Sequence, residues 1–234
     1  MKTETEKSTT NLTRVRIAVL GKVNVGKSAL TVRFLTRRYI GEYRSNTDLL
    51  YRQTVTINNT PLEVEIIDVS GETRDCILPE EQVQWSDGCI IVYSITDRDS
   101  FNYALDTLEN LHKMRSSIQI PITLLGNKAD LEHLRKVDVK EGRNIAAQYG
   151  CQFYEASVAE NSNELYQAFE AIMNELKCTS SNNTNGIGRL RKFSVTKMIG
   201  TLIGKESNKN HQHMQGGTVM VIQRSDLHKS RDTK

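Results

Sequence analysis

Gly21-Lys22-Val23-Asn24-Val25-Gly26-Lys27-Ser28 decides the fold of this chain. The eight residues fit GxxxxGK[ST], a pattern that needs a strand before it and a helix after it. Before it, Arg14 to Leu20 runs into the apolar stretch VRIAVL and reads as a buried strand. After it, GKSALTVRFLTRRY sets Leu30, Phe34 and Leu35 at helical spacing. A loop in that position turns successive backbone N–H groups inward, around the β-phosphate of a nucleotide. Gly21 and Gly26 supply the turn geometry that side chains would obstruct. Lys27 has the reach for β- and γ-phosphate oxygens, and the Ser28 hydroxyl is a hard donor for Mg²⁺.

Outward from the loop, the chain alternates strands and helices. Leu49–Ile57 and Leu62–Ile67 are β-branched runs flanking Asn58-Asn59-Thr60, a hairpin signal. Gly88–Ile95, Ile120–Leu125 and Cys151–Tyr154 have the length of buried strands. Phe101–Met114, Val139–Tyr149 and Ser162–Leu176 have helical periodicity. The expectation is an α/β fold: a six-stranded, mostly parallel sheet with one antiparallel hairpin strand and helices on both faces.

The phosphate loop alone admits ATP as readily as GTP. Asn127-Lys128-Ala129-Asp130, at the end of the IPITLLG strand, selects between them. A carboxylate at Asp130 can accept from both N1–H and the exocyclic amine of guanine, and adenine offers no such donor pair. A site built on that bond strongly rejects the base that lacks it. Asn127 is expected to bridge base and phosphate loop, with the Lys128 stem along the ring.

With these two motifs in place the chain resembles the Ras superfamily of small GTPases from Arg14 to Lys177. Asp68–Gly71 (DxxG), WSDGCIIVYSITDRDSF, LLGNKAD and Glu155–Ser157 follow in order. ALTVRFLTRRYIGEY and the series Cys151, Phe153, Glu155, Ser157 resemble the divergent branch around the Ras-related oestrogen-regulated growth inhibitor. The resemblance implies that Asp68 holds Mg²⁺ through water and that the Gly71 N–H contacts the γ-phosphate. It also implies that Tyr39 covers the guanine, and that Ser157 and the Val158 N–H complete the base pocket. Effectors would bind through Tyr43–Tyr51 and Asp68–Pro79.

Four departures bear on catalysis and partners. Val23 and Asn24 stand where Ras-type loops usually carry glycine, and an isopropyl group at Val23 crowds the path of an arginine finger. The threonine ligand that ends the first switch falls on Asn46 when read without gaps. Either Asn46 supplies an amide oxygen or a shifted register presents Thr47. Glu72 replaces the water-positioning glutamine, and a carboxylate beside a polyanion repels it. Leu49 and Leu50 replace polar residues at the effector-facing edge. Strand alternation sends one of them to the core and leaves the other exposed.

The 234 residues are 38% apolar and 25% charged, enough for one buried domain with an appendage. No window nears the roughly 18 apolar residues of a membrane span, and Met1–Asn11 lacks the apolar run of a secretory signal. Cys76, Cys89, Cys151 and Cys178 show no zinc spacing and read as reduced thiols of a cytosolic chain. Phe34, Trp85 and Met114 read as core, and His211 and His213 form no metal constellation. The net charge of +3 hides an asymmetry: residues 1–177 carry 21 Lys+Arg against 25 Asp+Glu, residues 178–234 carry 10 against 3.

Three regions follow: a disordered 1–13, a folded 14–177, and a basic, largely disordered tail at 178–234. Within the tail, Arg189–Lys205 is a basic amphipathic segment suited to an anionic membrane or a protein groove, or to packing on the domain. The chain ends without a CaaX cysteine, so a cytoplasmic location is expected, with nuclear import through the Arg/Lys clusters as a second reading. The expected function is a GTP/GDP switch with Mg²⁺, monomeric, with feeble hydrolysis and no nucleic-acid partner. The alternative is a nucleotide-bound interaction protein with negligible turnover.

Overall fold

The computed structural model describes residues 13–39, 48–70, 78–114, 120–181, 213–214 and 217–221. Asn46, Thr47, Gly71, Glu72, Cys76 and the 189–205 segment lie outside them. In chain order the body comprises β1 (Thr13–Leu20), α1 (Lys27–Thr36), β2 (Leu49–Ile57), β3 (Thr60–Asp68), α2 (Glu80–Trp85) and β4 (Gly88–Ser94). It continues with α3 (Arg98–Met114), β5 (Ile122–Asn127), a 3-10 segment (Ala129–Leu134), α4 (Val139–Tyr149), β6 (Gln152–Ala156) and α5 (Asn163–Ser181). Two strands from the tail follow, β7 (His213–Met214) and β8 (Gly217–Val221).

The strand order is β6-β5-β4-β1-β3-β2-β8-β7. The six body strands meet the sequence expectation, with β1, β3, β4, β5 and β6 parallel and β2 antiparallel to β3. Asn58 and Asn59 turn the hairpin with φ of 50° and 59°, the left-handed pair that a two-residue turn requires. The sheet is wider than expected because Gly217–Val221 pairs antiparallel with Leu49–Gln53. Within the basic tail read as largely disordered, His213–Met214 and Gly217–Val221 form strands, and most of its other residues lie outside the described ones. Thr218-Val219-Met220-Val221 is a β-prone run, and the outer edge of β2 offers unpaired backbone groups for it to join.

Two cores flank the sheet. On one face Ile17, Val19, Val64, Ile66 and Ile90 pack under α1 and α5, where Phe34 stacks on Phe169 with ring centroids 4.1 Å apart. On the other face Ala18, Leu20, Ile91 and Tyr93 pack under α3 and α4 through Phe101, Leu108, Leu111 and Ala146. Full burial on both sides explains why β4 reads as an unbroken apolar run. Helix α4 starts on a capping box, Asp138 with Glu141, and stops at Gly150 with φ 61°. Helix α5 runs on to Ser181, past the expected boundary at Lys177. Helix α2 has six residues, too few for periodicity to reveal it.

Register brings the motifs together. Val19 lies opposite Asp68, Leu20 opposite Ile91, Ser94 opposite Asn127, and Asn127 opposite Ala156. The phosphate loop, Asp68, the Asn127–Asp130 segment and Ser157 therefore all leave the sheet at the carboxyl ends of its parallel strands. That is the rim where open α/β sheets bind ligands.

Candidate nucleotide-binding site

The phosphate loop is shaped by its glycines. Gly21 has φ 145°, and a Cβ built there would lie 2.2 Å from the Val92 carbonyl oxygen. Gly26 has φ 97°, and a Cβ there would lie 2.4 Å from Asn127 Nδ2. Asn24, exposed at the loop tip, also adopts a left-handed conformation, φ 64°, which asparagine tolerates. Gly26 caps α1 without any side-chain hydrogen bond, and the first turn of α1 holds no acidic residue. The positive end of α1 is thus left for an anion.

Lys27 is 7% exposed and donates from Nζ to the Lys22 carbonyl, 2.9 Å, spanning the loop. Burial lowers its pKa, against the opposing pull of Asp68 and Asp48. The Ser28 hydroxyl donates to the Asp68 carboxylate, so two hard oxygen donors converge beside the loop. Burial pushes the Asp68 carboxyl up to about 6, Asp48 adding to the rise while Ser28 and Lys27 oppose it. Oxygen donors around a carboxylate that burial disfavours suit a divalent cation. Ser28 and Asp68 would hold Mg²⁺, which supplies charge neutralisation to the phosphates when bound.

The base-side residues form a second linked cluster. Asn127 is 3% exposed; its Nδ2 donates to the Val25 carbonyl, 2.8 Å, and its Oδ1 accepts from the Val158 N–H, 3.3 Å. This one side chain fastens β5 to the phosphate loop and to the segment after β6. Val158 therefore acts on the pocket through Asn127 rather than with a free N–H. Ser157 Oγ donates to Asp130 Oδ1, 2.6 Å, and accepts from the Glu160 N–H, 3.0 Å. A base would be met by the second Asp130 oxygen. Lys128 turns the chain with φ 68° and starts the 3-10 segment that carries Asp130. Tyr39 is 52% exposed, with the Arg33 guanidinium 5.9 Å from its ring centroid.

A phosphate loop joined through one asparagine to an NKxD carboxylate is a guanine-nucleotide arrangement, and the profile of the Ras family matches residues 16–178. This chain is a member of the Ras family. Ras-like protein family member 11B of Xenopus laevis is 37% identical over 189 residues, covering 77% of this chain and 74% of that protein. The human Ras-related and estrogen-regulated growth inhibitor is 37% identical over 163 residues, covering 70% and 81%. The mouse Ras-like protein family member 11B is 38% identical over 168 residues, covering 69% and 68%. Membership makes this a GTP-binding and GTP-hydrolysing fold with magnesium as its companion ion.

Sequence reasoning missed the residue that links the stretches after α1 and after β3. Asp48, 2% exposed, accepts from the Ser70 N–H at 2.8 Å and from Gln82 Nε2 at 2.9 Å. The bonds span 22 and 34 residues, so no local pattern announces them. Leu49 and Leu50 also differ from expectation. They face opposite sides of the sheet as predicted, but neither is exposed. Leu50 is buried with Trp85, and Leu49 is partly buried against the α1/α5 core. Of the departures in the phosphate loop, Val23 is partly buried and Asn24 exposed.

Proposed function

We propose that this Ras-family chain is a GTP/GDP switch with slow intrinsic hydrolysis, read by effectors through Tyr43–Tyr51 and Asp68–Pro79. Asp48 carries the switch reading. One buried carboxylate holds Ser70 and Gln82, on either side of residues 71–77, and itself follows directly on residues 40–47. A bond set of this kind supports coupled rearrangement of both stretches when the γ-phosphate is lost.

Slow hydrolysis rests on two side chains. In Ras-type switches a glutamine orients the attacking water, and a supplied arginine is worth about 10³–10⁵ in rate. Glu72 puts a negative group in the glutamine's place, and Val23 narrows the arginine's approach. Lys27 and the open end of α1 hold the phosphates whatever the rate.

Single-turnover hydrolysis of the GTP-loaded protein tests the proposal. The rate should fall below that of a glutamine-bearing Ras protein under the same conditions, and Glu72→Gln should raise it. A native rate equal to that of Ras would contradict the proposal and make Glu72 a productive base. Retained nucleotide with no hydrolysis in either chain would favour the constitutively bound interaction protein. The basic composition of residues 178–234 further supports a cytosolic protein with reversible, salt-sensitive contact to anionic surfaces. Pelleting with phosphatidylserine vesicles at low and high salt checks it: binding that survives high salt would contradict this reading.

A further inference from the structure

Strand β2 has two edges. The inner one is paired along its whole length with β3, from Leu49↔Asp68 to Ile57↔Thr60. The outer one would close the six-stranded body with a long row of unpaired N–H and C=O groups, a template for any extended chain. In this protein five positions of that edge carry β8: Leu49↔Val221, Leu50↔Met220, Tyr51↔Val219, Arg52↔Thr218 and Gln53↔Gly217.

Three features distinguish β8 from the strands of the body. Among the described residues it pairs with β2 and with the two-residue β7, and with no other strand. It reaches β2 only after residues 182–212, so a partner that takes its place competes with a strand of the same chain. Its register also ends on Leu49, the residue after Asp48, whose carboxylate holds Ser70 and Gln82. The paired stretch therefore abuts the contact between the two switches.

We propose that the tail strands His213–Met214 and Gly217–Val221 are a displaceable cover on the β2 edge. The tail strand occupies the place where an extended partner segment adds to the sheet, and such a partner binds only by displacing it. The partner chemistry is that of β8 itself, an extended run of β-branched and apolar residues like Thr218–Val221, held mainly by main-chain hydrogen bonds. The proposal goes beyond the nucleotide reading and stands on the strand order and the pairing register.

The test uses the full chain loaded with GDP and a Val219→Pro/Met220→Pro variant. Neighbouring strand residues turn their N–H groups to opposite sides, so this pair of substitutions removes a donor to β2 from one residue or the other. Hydrogen exchange of those Leu49–Gln53 amides that face β8 should quicken about tenfold or more in the variant, with the β2 amides bonded to β3 and those of β1 and β4 unchanged. A fluorescein-labelled peptide of residues 211–223 should bind the variant about tenfold tighter than the native chain, because the tethered competitor is gone.

Unchanged β2 exchange, equal peptide affinity, or loss of protection in β1 and β4 as well would overturn the proposal; the last would make the hairpin part of the frame. A second chain, Gln53→Cys/Gly217→Cys, joins directly opposed positions within reach of a disulfide. Oxidation should close that bond and weaken peptide binding, and reductant should restore it. Failure to form the cross-link, or indifference of the peptide to it, would equally sink the idea. Bound GDP is measured in the same samples. Its absence would contradict the nucleotide reading while leaving the strand result to stand or fall separately.

Discussion

Asp130 accepts the Ser157 hydroxyl with one oxygen, and in the proposed site the other would meet the base. Asp130→Asn retains an acceptor for Ser157 and turns the second position into a donor. The variant should stay folded and shift its preference from guanine to xanthine diphosphate, whose C2 oxygen accepts; unchanged guanine preference in a displacement assay would contradict the assignment. Asn127 matters through both ends of its amide. Asn127→Ala leaves the Val25 carbonyl and the Val158 N–H without their partner, each costing about 1–3 kcal/mol. Faster GDP release and a lower melting temperature should appear together. Asp68 carries a pH signature. Its carboxyl is raised to about 6 in the folded state from 3.8, so its ionisation opposes folding. That penalty is absent at acid pH, grows as pH rises from about 4 to 6, and is complete above. In the presence of a chelator, Asp68→Asn should therefore melt higher than the native chain at pH 7.5, with the gap narrowing toward pH 5. In magnesium the same variant should lose GDP faster. A gap independent of pH would show that Asp68 ionisation carries no such cost.

At the level of elements, the phosphate loop and α1 were legible because their signals are local: two glycines, a lysine and a serine at fixed spacing before an amphipathic run. The structure gives those glycines their reason. At φ 97°, with Asn127 Nδ2 2.4 Å from a built Cβ, Gly26→Ala combines backbone strain with a clash against a side chain already tied to Val25. Strain of about 1–3 kcal/mol corresponds to GDP release roughly 5- to 150-fold faster, measurable by stopped flow. Helix α4, read from its periodicity at Val139–Tyr149, makes a control. Asp138→Ala removes the cap of a helix remote in sequence from the loop and should cost about 1 kcal/mol in urea unfolding while GDP release stays unchanged. What the sequence concealed was non-local. Asp48 meets partners far along the chain, and β8 finds β2 across most of it. Neither leaves a periodic trace. Leu49 and Leu50 show the same limit from another side: alternation predicted opposite faces, but only packing shows that Trp85 covers one and the α1/α5 core the other.

Across the whole molecule, one mixed sheet gathers motifs scattered from Gly21 to Val158 at the carboxyl ends of its parallel strands, and Asn127 ties the phosphate loop to the segment after β6. The central claim is that this arrangement selects guanine. Displacement of a fluorescent GDP analogue in magnesium, with GDP, GTP, ADP and ATP as competitors, tests it most directly. A site that holds a buried donor pair on a carboxylate rejects a base lacking it by about 10⁴–10⁵. GDP and GTP should therefore displace the probe at stoichiometric concentrations, while ADP and ATP should leave it bound at millimolar levels. Displacement by ATP at the concentration at which GTP displaces would contradict the account.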